Sequence, residues 1–149
     1  MEIKIETASI KLLDKFNEIE EQCFDQEAFS KRQIAYLLTD YNTIALVAKT
    51  GKEIAGFIIA QVEIDNDILF GHIITINVAP SCRRKKIASK MLKEIEGTLK
   101  QKGISESHLE VREDNTAALK LYLNNGYQKI GRLEKYYGKA HGLYLKKSL

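Results

Sequence analysis

Apolar residues recur along the chain with two periods, one typical of strands and the other typical of helices. Ile3 and Ile5 alternate with charged neighbours, which is the two-residue period of a strand with one buried face. From Ser9, a residue type that often caps helices, apolar residues recur at helical spacing as far as Phe24. The pattern therefore predicts a strand over residues 2–7 followed by a helix.

The rest of the chain follows the same two periods. Ser30, with Gln33 three residues later, is a capping-box sequence that opens a second helix ending near Asp40. Turn sequences at 50–52 and 65–67 divide the middle of the chain into strands that pair as an antiparallel meander. After the first helix, the predicted elements are a helix over 30–40, strands over 43–49, 53–64 and 68–78, a helix from 87 to a stop at Gly103, a strand over 107–111, a helix over 115–125, and strands over 127–137 and 143–145 around turns at Gly138 and Gly142.

A strand, a helix and another strand run from residue 73 to residue 112. A crossover of this kind joins parallel strands, so 73–78 and 107–112 are expected to pair in parallel within an otherwise antiparallel sheet. Gly56 lies inside a predicted strand, which indicates a bulge, a close approach or simply a weak position. The fold prediction is one α/β (α+β) domain over residues 1–149, with a mixed, mostly antiparallel sheet of about seven strands and about four flanking helices.

The composition is that of a globular domain, with 149 residues of which 44% are hydrophobic and 29% charged. No apolar run approaches the length of a membrane helix and the first residues alternate like a strand, so we expect a cytoplasmic protein without a membrane partner. Cys23 and Cys82 lack zinc-binding spacing, which predicts reduced thiols and no metal site. The net charge of +3 is too small to indicate a nucleic-acid partner, and the oligomeric state stays open.

Four consecutive cations follow the strand that ends at Val78. Arg83, Arg84, Lys85 and Lys86 lie directly before a helix, where free backbone N–H groups and the positive end of the helix dipole converge. Such a helix N-terminus favours a phosphate. A run of cations can also be a solvated surface loop, so both interpretations stay open here.

Several segments of the second half of the chain also occur together, in one order and spacing, in a known family. They are Ile76-Asn77-Val78-Ala79-Pro80, Arg83-Arg84-Lys85-Lys86-Ile87-Ala88, residues 109–122, Asn125-Gly126-Tyr127 and Tyr136-Tyr137. With them the chain resembles the GCN5-related N-acetyltransferases (GNAT), and most closely the RimI-type ribosomal-protein-alanine and protein N-terminal acetyltransferases. The first half matches only as a pattern of elements.

The resemblance implies acetyl-CoA as the cofactor. In this family the strand ending at Val78 splays from its parallel neighbour and lends its backbone to the pantetheine arm, with a nearby N–H stabilising the oxyanion. The family's pyrophosphate loop reads Q/R-x-x-G-x-G/A, so Arg83 and Ala88 match while Lys86 replaces the first glycine. We expect Lys86 to adopt an ordinary negative φ or to push the loop outward, and its ammonium could contact phosphate. The residues assigned to acetyl-CoA are Ile76, Asn77, Val78, Arg83, Arg84, Lys85, Lys86, Ile87, Ala88 and Asn115.

Two residues are implied to act in catalysis. Glu110 is the expected general base, although a carboxylate on this strand could instead form a structural ion pair with Arg112 or a lysine. Tyr122 is the expected acid that reprotonates the coenzyme A thiolate, although a tyrosine on an apolar helical stripe could be core. Asn115, assigned above to the pantetheine arm, could also be a helix cap.

The resemblance places the acceptor between a loop containing Glu27 and Phe29 and a strand containing Tyr136 and Tyr137. Only one of the two tyrosines is expected to face the groove, because side chains alternate along a strand. The implied reaction is acetylation of a protein N-terminal α-amine by direct attack on the thioester. Alternatives are a protein-lysine or small-amine acetyltransferase, a non-catalytic acetyl-CoA-binding module and, through the basic run, a nucleic-acid binder.

Overall fold

The computed structural model describes residues 2–24, 27–83 and 86–149. The elements follow in the predicted order, with single turns of 3-10 helix at Ile10–Leu12 and Pro80–Cys82. The strands are β1 (Ile3–Thr7), β2 (Thr43–Thr50), β3 (Glu53–Asp65), β4 (Ile68–Val78), β5 (Glu106–Arg112), β6 (Gln128–Tyr137) and β7 (Ala140–Ser148), and the helices are α1 (Leu13–Cys23), α2 (Lys31–Thr39), α3 (Ile87–Gln101) and α4 (Thr116–Asn124). No helix in these ranges is long and apolar enough to cross a membrane.

Local sequence signals set the helix ends as predicted. The backbone N–H of Gln33 donates to Ser30 Oγ at 3.1 Å, and the backbone N–H of Ser30 donates to Gln33 Oε1 at 2.8 Å. This reciprocal pair is the capping box of α2. Gly103, with φ of +80°, stands just beyond α3 in a backbone conformation that favours glycine.

The strands form one sheet in the order β1-β2-β3-β4-β5-β7-β6. Every neighbouring pair is antiparallel except β4 and β5, as predicted. Gly142 departs from the prediction, because it lies inside β7, opposite Arg112 and Leu133, whereas Gly138 occupies the turn. Strand β7 therefore covers Ala140–Ser148, whereas the apolar residues predicted a strand over 143–145 only.

Helices cover both faces of the sheet. Phe16 of α1 stacks on Phe57 of β3 with ring centroids 4.1 Å apart, whereas the adjacent Gly56 lies against Met91 of α3. Because neighbouring residues of a strand face opposite sides, α1 and α3 lie on opposite faces. The core between the sheet and these helices is built from fully buried Phe, Ile, Leu and Met side chains.

Gly56 has both features that its place in a strand indicated. The register between β2 and β3 shifts at Ala48 and Lys49, opposite Gly56, which marks a bulge. A Cβ atom on Gly56 would lie 2.3 Å from the Asn77 carbonyl oxygen and 3.2 Å from Val78 Cα. The absent side chain is therefore what lets β3 lie so close to the end of β4.

Strands β4 and β5 are parallel, and they pair over only a short stretch. Only Gly71 with Ser107 and His72 with His108 are in register. These pairs lie just before the predicted 73–78 stretch, which runs on without a partner on this side among the described residues. The parallel direction of the pair and the splay implied by the resemblance are confirmed.

Candidate active site

The gap between β4 and β5 opens a cavity of about 690 Å³, here called the splay cavity. Its walls come from the unpaired part of β4, from β5, from the first turns of α4 and from the end of α1. The Val78 carbonyl oxygen lies at this edge, where it accepts hydrogen bonds from Cys23 Sγ at 3.4 Å and Arg83 Nε at 3.3 Å. The cavity therefore has main-chain polar groups along one side.

The three β4 residues assigned to acetyl-CoA all line the splay cavity. Ile76 and Val78 are half-buried, and Asn77 is buried. Asn77 Nδ2 donates to Glu20 Oε1 at 2.9 Å, whereas Asn77 Oδ1 has no hydrogen-bond partner among the described residues. The side chains of this segment thus pack inward while its backbone edge stays available.

The basic loop leads directly into α3. Arg83 is exposed, lines the splay cavity and also donates through Nη2 to Cys23 Sγ at 3.4 Å. Ala88 lines the cavity, whereas the side chain of Ile87 is buried in the core and does not. The assignments to Arg84 and Lys85 lie outside the described residues.

Lys86 adopts φ of +60° and ψ of +25°, the left-handed conformation. The expected negative φ is therefore wrong. Lys86 keeps the backbone geometry that a glycine would adopt, at a strain of roughly 1–2 kcal/mol. Its side chain is exposed at the start of α3.

Glu110 lies on β5 with its side chain 17% exposed. Its partner is His72, whose Nε2 lies 2.7 Å from Glu110 Oε1. The structural alternative, an ion pair with Arg112 or a lysine, does not occur within the described ranges. Arg112 instead donates to Glu27 and, at 2.9 Å, to Asp114. Within the described part of the chain, His72 is thus the one group in direct contact with Glu110 that can carry a positive charge.

Tyr122 is almost fully buried on α4 and lines the splay cavity. Burial raises the pKa of its hydroxyl, and the nearby Tyr137 adds to the rise. The ring also packs edge-on against Tyr127 with centroids 5.9 Å apart. The core interpretation and the cavity placement therefore both hold, and the hydroxyl stays protonated at neutral pH.

Asn115 caps α4, because its Oδ1 accepts a hydrogen bond from the Ala118 backbone N–H at 3.2 Å. It also lines the splay cavity, next to Ala118. The cap interpretation is confirmed, and it leaves the side-chain amide nitrogen of Asn115 unused by that bond.

A second cavity of about 590 Å³, here called the α2 cavity, adjoins the first. Phe29 and Tyr136 line both cavities, together with Ile74 and Glu110. Glu27 and Tyr137 line only the splay cavity. The further residues of the α2 cavity are Arg32, Gln33, Tyr36, Leu37, Gln61 and His72.

Tyr136 and Tyr137 both line the splay cavity, but only Tyr136 also lines the α2 cavity. Lys135, just before them, has φ of +51°, and the register between β6 and β7 shifts over this stretch. The Lys135 backbone N–H donates to His141 Nδ1 at 3.0 Å, which holds the irregular backbone. A bulge therefore interrupts the regular alternation of side chains just before Tyr136 and Tyr137.

Sequence reasoning missed Glu20, which is 1% exposed. It accepts hydrogen bonds from the Phe29 backbone N–H at 3.2 Å and from Thr75 Oγ1 and Asn77 Nδ2 at 2.9 Å. It therefore ties α1 to the acceptor-side loop and to β4. The signal was a carboxylate at i+4 from Phe16, on the apolar stripe of α1.

The arrangement fits acetyl-CoA. An unpaired strand edge can hydrogen-bond to an amide-bearing arm, and the helix N-terminus beside it can hold phosphates. No cluster of three or more metal-ligating side chains occurs among the described residues. The site can therefore bind a phosphorylated, arm-like cofactor beside a carboxylate and a protonated tyrosine.

Comparison with known proteins agrees with this geometry. The sequence profile described as "Acetyltransferase (GNAT) family" matches residues 10–127. The chain is 32% identical over 103 residues to the N-terminal acetyltransferase B complex catalytic subunit NAA20 of Arabidopsis thaliana, covering 66% of this chain and 58% of that protein. It is 35% identical over 89 residues to the ribosomal protein bS18-alanine N-acetyltransferase of Haemophilus ducreyi, covering 60% of this chain and 59% of that protein.

The fold is also shared with solved structures. The structure of the NatC complex bound to Gag peptide and CoA contains a chain that superposes with a TM-score of 0.90 at 22% identity, covering 100% of this chain and 99% of that one. The aligned stretches span a little under three fifths of the two curated relatives above. The chain belongs to the GNAT acetyltransferase family.

Proposed function

We propose that the protein acetylates the α-amine of a protein or peptide N-terminus, and that residues 1–149 form the single domain that does so. The observation that carries the proposal is the position of Glu110. It lines both the splay cavity, which contains the whole unpaired β4 edge from Ile73 to Val78, and the α2 cavity, to which that edge contributes only Ile74. A base at the boundary of two cavities can serve an acceptor in one and a cofactor in the other.

Acetyl-CoA supplies the activated acetyl group, which the amine attacks directly. On the cofactor side, the backbone of Ile76, Asn77 and Val78 binds the arm, with Asn115 at its other side. Arg83, Lys86, Ile87 and Ala88 surround the phosphates at the start of α3, and the same proposal includes Arg84 and Lys85.

Glu110 is the proposed base and Tyr122 the proposed acid. Glu110 removes a proton from the incoming amine. Tyr122, whose raised pKa keeps its hydroxyl protonated, returns a proton to the thiolate as it leaves. The presence of both groups in one cavity argues against a non-catalytic binding module.

The acceptor lies between the loop of Glu27 and Phe29 and the bulged strand of Tyr136 and Tyr137. Phe29 and Tyr136 line both cavities, as Glu110 does, which supports an acceptor site between them. An extended N-terminus approaching through the α2 cavity would pass between them.

The chemistry favours an α-amine over a lysine. An α-amine with a pKa near 8 is about a tenth neutral at pH 7, whereas a lysine with a pKa near 10.4 is neutral to only about four parts in ten thousand. A single carboxylate base therefore needs to deprotonate a smaller fraction of an α-amine substrate than of a lysine substrate. The named relatives, which are N-terminal and ribosomal-protein-alanine acetyltransferases, support the same choice. We place the reaction in the cytoplasm, in keeping with two free cysteines.

Release of free coenzyme A thiol tests the proposal. Acetyl-CoA is supplied with either of two peptides of one sequence, each with an internal lysine, differing only in whether the N-terminus is free or blocked. The proposal expects thiol release with the free peptide and little above background with the blocked one. Equal release with both would assign the activity to lysine.

A further inference from the structure

His72 lies between two carboxylates in the middle of the sheet. Its Nε2 lies 2.7 Å from Glu110 Oε1, and its Nδ1 lies 2.7 Å from Glu63 Oε2. These partners belong to the strands on either side of β4, since Glu63 is on β3 and Glu110 is on β5. The three side chains form one continuous hydrogen-bonded chain.

Solvent access rises along this chain. The side chain of Glu110 is 17% exposed, that of His72 is 22% exposed and that of Glu63 is 39% exposed. Glu110 faces both cavities, whereas Glu63 lines neither of them. A proton taken up at Glu110 therefore has a path through His72 to water that does not pass through the substrate.

The reaction needs such a path. An amine that arrives as an ammonium ion loses two protons when it becomes an amide. One proton ends on the thiol of coenzyme A, since Tyr122 gives its own proton to the thiolate and takes a replacement. The other leaves to water, and if it stayed on Glu110 the base would be blocked for the next turnover.

We propose that His72 relays this proton: its Nε2 takes the proton from Glu110, the charge is held as an imidazolium between the two carboxylates, and the Nδ1 proton then leaves through Glu63 to water. The neutral ring is then protonated on Nε2, and exchange of this proton with water, which the 22% exposure of the side chain allows, returns the ring to the Nδ1-protonated form before the next turnover. His72 acts through Glu110, so it is a positioning and relay residue rather than one that touches the reacting atoms. The inference rests on the proposed role of Glu110 but does not depend on which amine is the acceptor.

The groups around His72 determine when it can accept a proton. Burial lowers the pKa of His72, but hydrogen bonds and charge from Glu110 and Glu63 together outweigh burial and raise the pKa above its ordinary value. The relay needs neutral His72 with an open Nε2, so turnover rises with pH through this raised pKa. The other titratable or polar groups facing this region are Arg32 of α2, Gln61 of β3, His108 of β5, Tyr136 of β6 and Tyr144 of β7.

A purely structural His72 would behave differently. If His72 only linked β3 to β5 by hydrogen bonds, replacing it would lower the free energy of unfolding. The pH dependence of turnover would stay the same. The two interpretations therefore separate in the titration of the ring and in the pH dependence of kcat/KM.

NMR of the imidazole nitrogens measures the titration of the His72 ring and needs no amine substrate. The chain has three histidines, and His72→Gln assigns the resonances of His72 by their loss. The relay predicts a His72 pKa above about 6.5, a fall of that pKa in Glu63→Gln and in Glu110→Gln, and a neutral form with its proton on Nδ1. A neutral form protonated on Nε2, or a His72 pKa that Glu63→Gln leaves unchanged, would overturn the relay.

Kinetics then tests the pathway, with whichever amine proves to be the acceptor. The limb of kcat/KM that rises with pH should match the NMR pKa of His72 and move to lower pH in Glu63→Gln. His72→Gln should abolish that limb and lower kcat by roughly tenfold or more, with KM little changed. His108→Gln is the matched control, because His108 also lies beside a glutamate, Glu106, at 3.1 Å but lines neither cavity.

The His108→Gln control should keep the wild-type rise of kcat/KM with pH. The unfolding temperature is measured for every variant. A His72→Gln enzyme that keeps the wild-type limb and loses only thermal stability would overturn the relay. Because the NMR titration needs no acceptor, a failure of the relay and a failure of α-amine acetylation are distinguished.

Discussion

Gly56 and Asn77 pack backbone against backbone, so closely that a Cβ atom on Gly56 would lie 2.3 Å from the Asn77 carbonyl oxygen. Asn77 belongs to the segment of β4 that is proposed to bind the cofactor arm. The absence of a side chain at Gly56 thus fixes the position of the β4 backbone that is proposed to bind the cofactor arm.

Gly56→Ala should therefore affect both stability and cofactor binding. The added methyl group must displace backbone atoms of Asn77 and Val78, so we expect a loss of about 1–3 kcal/mol in the free energy of unfolding and weaker CoA binding. Urea unfolding and calorimetric titration with CoA measure the two effects. Gly97→Ala is the control, because Gly97 lies in α3 with nothing within 4 Å of an added Cβ, and it should stabilise the protein by up to about 1 kcal/mol. Unchanged CoA affinity in Gly56→Ala would contradict the account.

Glu20 should make stability depend on pH in a defined direction. Burial raises the pKa of the Glu20 carboxyl, against the lowering effect of its three hydrogen bonds. A folded-state pKa above the unfolded value means that the folded protein binds the proton more tightly. The resulting stability is fully present below the unfolded pKa and is lost as pH rises through the folded pKa.

The measurement is the free energy of unfolding of wild type and Glu20→Gln as pH falls from 7 towards 4. Wild type should gain stability relative to Glu20→Gln over this range. Glu21→Gln, one residue further along α1 and exposed, should follow the wild-type pH dependence. If the free energy of unfolding of the wild type fell relative to that of Glu20→Gln as pH falls, the folded-state pKa of Glu20 would be lowered instead.

Lys86 offers a test that separates strain from charge. Lys86→Ala keeps a Cβ in the left-handed conformation and removes the ammonium, whereas Lys86→Gly removes both. We expect Lys86→Gly to be more stable than Lys86→Ala by about 1 kcal/mol, because only glycine adopts this φ without strain. If the ammonium contacts phosphate, both variants should bind CoA more weakly than wild type, with a flatter salt dependence. Equal stability of the two variants would contradict the assigned conformation.

The base and the acid should act on turnover rather than on cofactor binding. Glu110→Gln removes the proton acceptor and should lower kcat by roughly a hundredfold or more, while CoA affinity stays nearly unchanged. Tyr122→Phe keeps the ring that packs on Tyr127 but removes the hydroxyl, so it should also lower kcat. Steady-state kinetics and thermal shifts with CoA measure both. A Tyr122→Phe enzyme with normal kcat and reduced stability would make Tyr122 a core residue only.

The fold was predictable because its signals are local. The two hydrophobic periods separate strands from helices, and Ser30 with Gln33 fixes the start of α2 through bonds that are present. The crossover from β4 to β5 implies their parallel direction from chirality and connection length alone. The extent of their pairing could not be read in this way, because the divergence after His72 depends on packing between distant elements.

The site was predictable only where a motif carried it. Glu110, Tyr122 and Asn115 were found by resemblance, and each lines the splay cavity. Glu20 and His72 were missed, because their roles arise from partners far apart in sequence, such as Asn77 for Glu20 and Glu63 for His72.

Two backbone conformations of the structure are not encoded in the hydrophobic periods of the sequence. The left-handed φ of Lys86 contradicts the expected negative φ and the usual preference of residues with a Cβ. The bulge at Lys135 interrupts the alternation of side chains along β6 just before Tyr136 and Tyr137. In both cases tertiary context overrides the local preference.

The most direct test of the central claim uses one peptide that carries a free N-terminus and an internal lysine. After incubation with the protein and acetyl-CoA, fragmentation mass spectrometry locates the acetyl group on one amine or the other. The account predicts acetylation mainly on the N-terminal α-amine, and loss of that product with Glu110→Gln. Acetyl groups found mainly on the lysine would contradict the account and make the protein a lysine acetyltransferase.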